Sequence, residues 1–247
     1  MPPLTVRIIL VETAGALNLG AIARVMQNMG LADLWLVNPQ CDHLSAPARQ
    51  MAVHAQAILE QARLVPDLLS ALQDCDRVIA TAGRLDRGNR QVLNLEAGCE
   101  WLRAQGQQRA IVFGREDRGL SNQELQYFPQ VLTIDTVPQA PSLNLAQAVG
   151  LFCYSWYKLC QRATPQPIST PLAPIEELEA VFQELEFLLL YIGFLYPHTT
   201  FARMQKLRHL LHRSQPTPEE VTMLRGILRQ LFWKMQIDRG NTPNKVK

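Results

Sequence analysis

The chain has 247 residues, of which 47% are hydrophobic, and its formal net charge is +2. These values are typical of a globular protein with one large domain or two smaller ones. No apolar run reaches the roughly 18 residues of a membrane helix, and the N-terminus enters a strand pattern without the basic and apolar regions of a signal peptide. We therefore expect a cytoplasmic protein that does not contact a membrane.

The cysteine and histidine residues give no sign of a disulfide framework or a metal site. The five cysteines are an odd number and form no CxxC pair, so free thiols are expected. The five histidines are scattered along the chain at spacings that do not suit metal ligation. We predict that no metal ion takes part in the function.

The first 163 residues alternate between short apolar runs and amphipathic patterns. The predicted strands span 6–11, 34–37, 77–81, 110–113 and 131–135, and the predicted helices lie near 20–29, 46–61, 67–73, 94–105, 121–127 and 142–162. Ser121 and Glu124 form a capping-box pair, which supports a helix start at that point. Strands that are apolar throughout and separated by helices predict an α/β domain with a parallel sheet covered on both faces.

The first predicted helix contains an arginine among small and apolar residues. In NLGAIARVMQNMG (18–30), the apolar residues recur at helical spacing on one face, and Arg24 lies on the opposite face. Asn18 is a favourable N-cap residue just ahead of this run. A lone arginine at such a position is most often a solvated surface charge, so a function for Arg24 needs support from other segments.

The segment TPQPISTPLAP (164–174) has four prolines and no charge, which predicts a semi-rigid linker. After it, residues 175–247 contain three amphipathic patterns, which predict a small all-helical domain. Residues 203–247 hold 10 Lys and Arg against 3 Asp and Glu. This basic excess favours contact with a polyanion, although a solvated helix face is the commoner cause of such a pattern.

Three loops leave consecutive predicted strands at the carboxyl edge of the sheet, where open parallel sheets bind ligands. They are TAGR (81–84), GREDRGL (114–120) and TVPQAPSLNLA (136–146). Glycine and proline in these loops either punctuate the chain or allow a ligand to approach the backbone. The chain lacks GxGxxG after the first strand, GxxxxGK[ST] and GxSxG, which disfavours dinucleotide, phosphoryl-transfer and α/β-hydrolase chemistry.

Three blocks match in order the motifs of a known family. They are N18-L-G20-A-I-A-R24, F113-G114-R-E116-D-R-G119-L120 and S142-L143-N144-L-A146. With them the chain resembles the SpoU (TrmH) class of SPOUT RNA 2′-O-methyltransferases. The resemblance implies a parallel-sheet SPOUT domain over 1–163 with a trefoil knot near its C-terminal end. The segments 10–13, 30–39 and 204–228 resemble more specifically the bacterial branch that methylates the ribose of tRNA nucleotide 32.

The resemblance also implies S-adenosylmethionine as methyl donor, and it implies which residues bind this cofactor. Thr81, Ala82 and Gly83 would line one wall of the site, and Gly114 and Ile134 would form another. Ser142, Leu143 and Asn144 would close it. Methyl transfer from a sulfonium is an in-line displacement that depends on positioning, so no metal is implied.

Arg24 corresponds to the proposed catalytic residue of the family, whose arginine works near the partner subunit's cofactor, which implies a homodimer. A guanidinium has no lone pair that accepts a proton, so we interpret Arg24 as a clamp on an RNA phosphate that stabilises the developing alkoxide. Ser142 would orient the ribose hydroxyl and Asn144 would hold the loop. Glu116 is expected to anchor Arg24 or the knot rather than to act as a base.

Six cationic side chains are candidates for RNA contact: Arg24, Arg84, Arg115, Arg203, Lys206 and Arg213. The last three lie toward one side of a predicted helix at 203–213, while Met204, Leu207 and Leu211 should pack on its neighbours. The leading hypothesis is therefore a tRNA 2′-O-methyltransferase that forms Cm32 or Um32. A ribosomal RNA 2′-O-methyltransferase, a catalytically silent RNA-binding protein and a small-molecule enzyme remain alternatives.

Overall fold

A computed structural model of the chain describes residues 5–82, 91–104, 108–128, 130–161 and 172–235. Its strands are β1 (Arg7–Val11), β2 (Leu34–Val37), β3 (Arg63–Val65), β4 (Arg77–Thr81), β5 (Gln91–Asn94), β6 (Arg109–Phe113) and β7 (Gln130–Thr133). They form one seven-stranded sheet in the order β3-β2-β1-β6-β4-β7-β5, in which every neighbouring pair is parallel.

The helices of the sheet domain are α1 (Ala16–Asn28), α2 (Ala46–Ala52), α3 (Gln56–Glu60), α4 (Leu68–Ala71), α5 (Leu95–Ala104), α6 (Asn122–Leu125) and α7 (Leu145–Gln161). Three helices follow: α8 (Ile175–Tyr191), α9 (Thr200–Ser214) and α10 (Pro218–Lys234). The predicted α/β domain followed by a helical region is confirmed. The trefoil knot stays a prediction.

Several predicted boundaries differ from the structure for local reasons. The two outer strands, β3 and β5, were not predicted because most of their residues are exposed and lack an apolar pattern. The single helix predicted over 46–61 is broken between α2 and α3, where Val53 has a φ of 56°. The predicted capping box of Ser121 and Glu124 is present at the start of α6.

Two clusters of buried side chains cover the two faces of the sheet, and successive strand residues alternate between them. In β1, Ile8 and Leu10 belong to the cluster beneath α1, α2, α5 and α7, whereas Ile9 and Val11 belong to the opposite cluster. This alternation explains why the central strands are apolar throughout.

The helical domain packs on the second face of the sheet. Buried residues of α8, α9 and α10 belong to the same cluster as Ile9 and Val78 of the strands. The backbone N–H of Ile175 donates to the carbonyl of Cys75 over 2.9 Å, so the start of α8 is tied to the sheet domain. Residues 162–171, which hold most of the predicted linker, lie outside the described part, and the predicted domain limits stay predictions.

The helices in the described part of the chain are not membrane-spanning. None of the helices there has both the length and the apolar character needed to cross a bilayer.

Candidate active site

The carboxyl ends of three neighbouring strands bring most of the predicted cofactor residues to one edge of the sheet. Thr81 ends β4, Gly114 follows β6 and Ile134 follows β7, and β4 lies between the other two strands. The Thr81 hydroxyl donates to the carbonyl of Val112 over 3.1 Å, and the Ala82 N–H donates to the carbonyl of Leu132 over 3.0 Å. These hydrogen bonds hold together the points at which the three loops leave their strands. Gly83 and Arg84 lie outside the described residues.

This edge has the mixed polarity that an adenosine-containing cofactor needs. Val137 is 62% exposed, and Ile134 and Leu143 are half-buried, so apolar surface is available there. Ser142 is exposed beside them and adds a hydroxyl. A mainly apolar surface with a few polar groups is typical of small-molecule sites, so these residues fit S-adenosylmethionine.

The loop after β6 is a tight turn closed by its own backbone. Arg115 and Gly119 exchange backbone hydrogen bonds of 3.3 and 3.0 Å, and Gly119 has a φ of 69°. A Cβ on Gly114 would overlap the carbonyl carbon of Gly119 and lie 2.5 Å from the backbone nitrogen of Leu120. Glycine is therefore required at position 114 so that this loop can close. The sequence predicted a role in cofactor binding for Gly114 but not this structural role.

The side chain of Arg115 lies in an internal ion-pair network. Its Nε and Nη2 donate to Glu12 over 2.7 Å each, and its Nη1 and Nη2 donate to Glu124 over 2.8 and 2.9 Å. Only 12% of the side chain is exposed. Because these donors are taken up inside the protein, the geometry does not support the predicted RNA contact of Arg115.

The same network sets the charge of the two carboxylates. The hydrogen bond from Arg115 lowers the pKa of Glu12 below its usual value. Burial acts to raise the pKa of Glu124, but the hydrogen bonds from Arg115 and Ser121 outweigh it and the net shift is downward. Both residues therefore stay ionised and fix the turn against the end of β1.

Glu116 contacts the start of α1. Its carboxylate accepts hydrogen bonds from the backbone N–H groups of Ala14 and Gly15, over 3.4 and 3.3 Å, and from Nδ2 of Asn18 over 3.1 Å. The first turn of α1 has no acidic residue of its own, so Glu116 supplies the negative charge that stabilises a helix N-terminus. Its anchoring contact is this helix; no contact with Arg24 is found among the described residues.

Asn18 links Glu116 to the third predicted motif. Its Oδ1 accepts a hydrogen bond of 3.1 Å from Nδ2 of Asn144. The Oδ1 of Asn144 in turn accepts from the backbone of Ala146 over 2.9 Å, so Asn144 caps α7, which begins at Leu145. The predicted N-cap role of Asn18 is wrong: α1 begins at Ala16 with Gly15 as N-cap.

Arg24 is exposed on α1 and lies away from the hydrogen bonds that link Asn18 to Glu116 and Asn144. It lies six residues beyond Asn18, which is about 9 Å along a helix axis, and on a different side of the helix. Within the described part of the chain it has no hydrogen bond, ion pair or ring contact with another side chain. The charge of Arg24 is therefore free to meet a group that lies outside the described part of the chain.

The helical domain exposes the three cations that the sequence singled out. Arg203, Lys206 and Arg213 of α9 are exposed, whereas Met204 of the same helix is buried. Arg208 is buried and forms a two-fold hydrogen-bonded ion pair with Glu179 of α8. Lys206 and Arg213 thus remain available to an external anion, whereas Arg203 already uses one of its donors on the carbonyl of Phe194.

Across the described ranges, no three His, Cys, Asp or Glu side chains come together in a way that would hold a metal ion.

Both parts of the chain match known protein families. The sequence model of the SpoU rRNA methylase family matches residues 5–154. The chain belongs to the SpoU methylase family. A second model, that of the C-terminal domain of the tRNA methyltransferase TrmJ, matches residues 176–240. This SpoU methylase is therefore a methyltransferase whose helical domain resembles the C-terminal domain of TrmJ.

Individual relatives agree with this assignment. The tRNA (cytidine/uridine-2′-O-)-methyltransferase TrmJ of Klebsiella pneumoniae is 36% identical over 235 residues, covering 92% of this chain and 96% of its own. The crystal structure of TrmJ from Z. mobilis ZM4 is 34% identical, with a TM-score of 0.83, and covers 92% of this chain and 99% of its own.

A shorter structural relative matches part of the chain. This structure, described as giving insights into the 2-OH methylation of C/U34 on tRNA, is 26% identical with a TM-score of 0.52. It covers 63% of this SpoU methylase but 96% of its own chain.

Sequence reasoning missed Glu12 and the linking role of Asn18. Glu12 follows β1 at the same sheet edge as the predicted loops, and this position in the sequence could have identified it as a candidate site residue. Asn18 lies within the first motif, but its two side-chain partners are 98 and 126 residues away and leave no local pattern.

Proposed function

We propose that this protein transfers a methyl group from S-adenosylmethionine to a ribose 2′-OH of tRNA, at nucleotide 32 of the anticodon loop. The observation that supports the chemistry best is the bridge through which Asn18 connects Glu116 and Asn144. It joins all three motif segments at the edge where Thr81, Gly114 and Ile134 meet. The match of both domains to TrmJ supports tRNA as the substrate.

S-Adenosylmethionine supplies an electrophilic methyl group on a sulfonium, and the protein has to place a ribose hydroxyl in line with it. In our proposal the loops that contain Ala82, Ile134 and Leu143 bind the cofactor at the carboxyl edge. Asn144 fixes the start of α7 and with it the exposed hydroxyl of Ser142. Ser142 then orients the 2′-OH for attack.

Arg24 binds the phosphate next to the reacting ribose. Its guanidinium stabilises the alkoxide that develops as the 2′-OH loses its proton to that phosphate or to a water molecule. Because Arg24 is set back from Asn18 and has no partner among the described residues, we propose that it serves the site of a second subunit. The functional unit is then a homodimer, and its tRNA substrate places it in the cytoplasm.

The experiment that tests this function is methyl transfer to defined RNAs. The purified protein with radiolabelled S-adenosylmethionine should methylate an unmodified tRNA transcript, and mass spectrometry should place the methyl group on nucleotide 32. A transcript with 2′-deoxyribose at nucleotide 32 should accept no methyl group, whereas one with 2′-deoxyribose at nucleotide 34 should react normally.

The reverse pattern would assign the protein to nucleotide 34, the position named for the shorter structural relative. Methylation of ribosomal RNA fragments in place of tRNA would support the ribosomal alternative, and cofactor binding without transfer to any RNA would contradict the proposal.

A further inference from the structure

The chain from the last residue of α8 to the first turn of α9 exposes an unusual number of aromatic rings. Tyr191, Phe194, Tyr196 and Phe201 are 49%, 55%, 53% and 53% exposed. We call these four residues the aromatic turn. Single exposed aromatic residues are common, but several in one short segment mark a surface that binds a partner.

The aromatic turn is held in a defined conformation. Leu195 at its centre is buried, and its N–H donates to the carbonyl of Leu189 over 3.0 Å. The hydroxyls of Thr199 and Thr200 donate to the carbonyl of Tyr196 over 3.2 and 2.9 Å. Rings presented from an ordered backbone lose little entropy when a partner binds, so the turn is suited to recognition.

The stretch of sequence around the aromatic turn carries only positive charge. No Asp or Glu occurs between residues 187 and 218, and α9 exposes Arg203, Lys206 and Arg213. Arg203 lies 5.6 Å above the ring of Phe194 and donates to its carbonyl over 2.6 Å. An aromatic ring and a cation thus lie together at Phe194 and Arg203, within a stretch of sequence that has no anionic residue.

We propose that the aromatic turn stacks unpaired bases of the RNA substrate while the cations of α9 hold its phosphates. This proposal rests on the proposed function, since it assigns part of the tRNA contact. Proteins bind single-stranded RNA with aromatic rings that stack on its bases and with cations that contact its phosphates. The bases of duplex RNA are paired and stacked, so they are not accessible for such stacking. A second copy of this chain fits less well, because two identical cationic surfaces would face each other and repel.

The test compares two RNA probes with the full-length protein. One is an anticodon stem-loop hairpin, and the other is a blunt duplex with the same stem sequence. Phe194→Ala and Phe201→Ala should each weaken hairpin binding between about fivefold and about a hundredfold, which corresponds to the loss of one stacked base. Duplex binding should change less than twofold, and Phe194→Trp should retain hairpin affinity.

A matched control is Leu64→Ala in β3, which removes a side chain of similar exposure, 52%, far along the sequence from α9. It should leave binding of both probes unchanged. The double substitution Lys206→Gln and Arg213→Gln should weaken the binding of both probes and flatten the salt dependence of the affinity. The ring substitutions should leave this salt dependence unchanged.

Two outcomes would overturn this inference while leaving the proposed function intact. The first is wild-type hairpin affinity, or an equal loss on hairpin and duplex, in the ring variants of a protein that still methylates tRNA. The second is a change of sedimentation coefficient on ring substitution, which would assign the turn to a protein interface. Failure of the wild-type protein to methylate any RNA would instead contradict the proposed function.

Discussion

Asn144 donates a hydrogen bond of 3.1 Å to Asn18, across 126 residues of sequence. The two amides thereby connect the N-terminus of α7 to the first turn of α1. Because Asn18 also donates to Glu116, a change at any of these three side chains affects the position of the other two.

The two asparagines should act as a unit. We expect Asn18→Ala and Asn144→Ala each to lose most methyl transfer, and the double variant to lose little more than the worse single one, with a coupling of about 0.5–3 kcal/mol. Asn144→Ala should also lower stability by about 0.5–2 kcal/mol, because it removes the cap of α7. Transfer rates and thermal unfolding of the four proteins measure this. Asn28→Ala, an exposed asparagine at the end of α1, is the control, and strictly additive effects would contradict the prediction.

Arg24 should matter for catalysis and hardly at all for folding. Since it is exposed and has no partner in the described structure, Arg24→Ala should change the free energy of unfolding by less than about 0.5 kcal/mol. Its kcat at saturating tRNA should fall about 100- to 1000-fold, the range for the loss of one charge-stabilising donor. Arg24→Lys should recover little, because it lacks the two-pronged guanidinium. Wild-type kcat in the alanine variant would remove Arg24 from the mechanism.

If Arg24 serves the neighbouring subunit's site, two inactive variants should complement each other. Co-expressed Arg24→Ala and Asn144→Ala chains would form mixed dimers in which one site has both an intact arginine and an intact loop. We expect such dimers to regain measurable methyl transfer. Arg24→Ala paired with a chain that has both substitutions should stay inactive, since no site is then complete. Equal activity in the two mixtures would mean that each subunit uses its own arginine.

Gly114 should be intolerant of even a methyl group. In Gly114→Ala the new Cβ would overlap the backbone of Gly119, so the turn must open. This opening would shift the carboxyl edge of the sheet, where we propose that the cofactor binds. We expect loss of S-adenosylmethionine binding by calorimetry together with a lower melting temperature. Gly226→Ala in α10 is the matched control, because its Cβ would meet nothing within 4 Å and should stabilise the helix by about 0.5–1 kcal/mol. Normal affinity in Gly114→Ala would show that the loop adapts.

Stability should fall in mild acid because of His212. Burial lowers the pKa of this histidine to about 4, so the folded state keeps it neutral where the unfolded state already binds a proton. Its contribution to stability is therefore complete above about pH 6.5 and decreases as the pH falls toward about 4. Urea unfolding at several pH values should show a flatter dependence in His212→Asn than in wild type. His54→Asn, at an exposed site, should follow wild type.

The central part of the fold was predictable from sequence, and its edges were not. β1 and β6 are buried on both faces, which requires the unbroken apolar runs that predict parallel strands. β3 and β5 lie at the ends of the sheet with most of their residues exposed, so they lack that pattern. Their positions depend on pairing with a neighbouring strand, which no local sequence feature encodes.

The location of the candidate site was predictable, whereas its side-chain partners were not. Parallel strands bring their following loops to one edge, which suffices to place Thr81, Gly114 and Ile134 together. The partners of Arg115 and Glu116 depend on distances set by the folded backbone. Both residues follow the same strand, yet one points to an internal ion-pair network and the other to a helix N-terminus.

The position of β1 at the middle of the sheet has a consequence for synthesis on the ribosome. β1 pairs with β2 on one side, but its other neighbour, β6, begins only at Arg109. At translation rates of about 5–20 residues per second, one edge of β1 stays unpaired for roughly 5–20 seconds. Glu116 emerges just after β6, so the same delay applies to the charge that stabilises the start of α1. The nascent chain therefore passes through an interval in which an apolar strand edge is open, and this is where we expect chaperones to act.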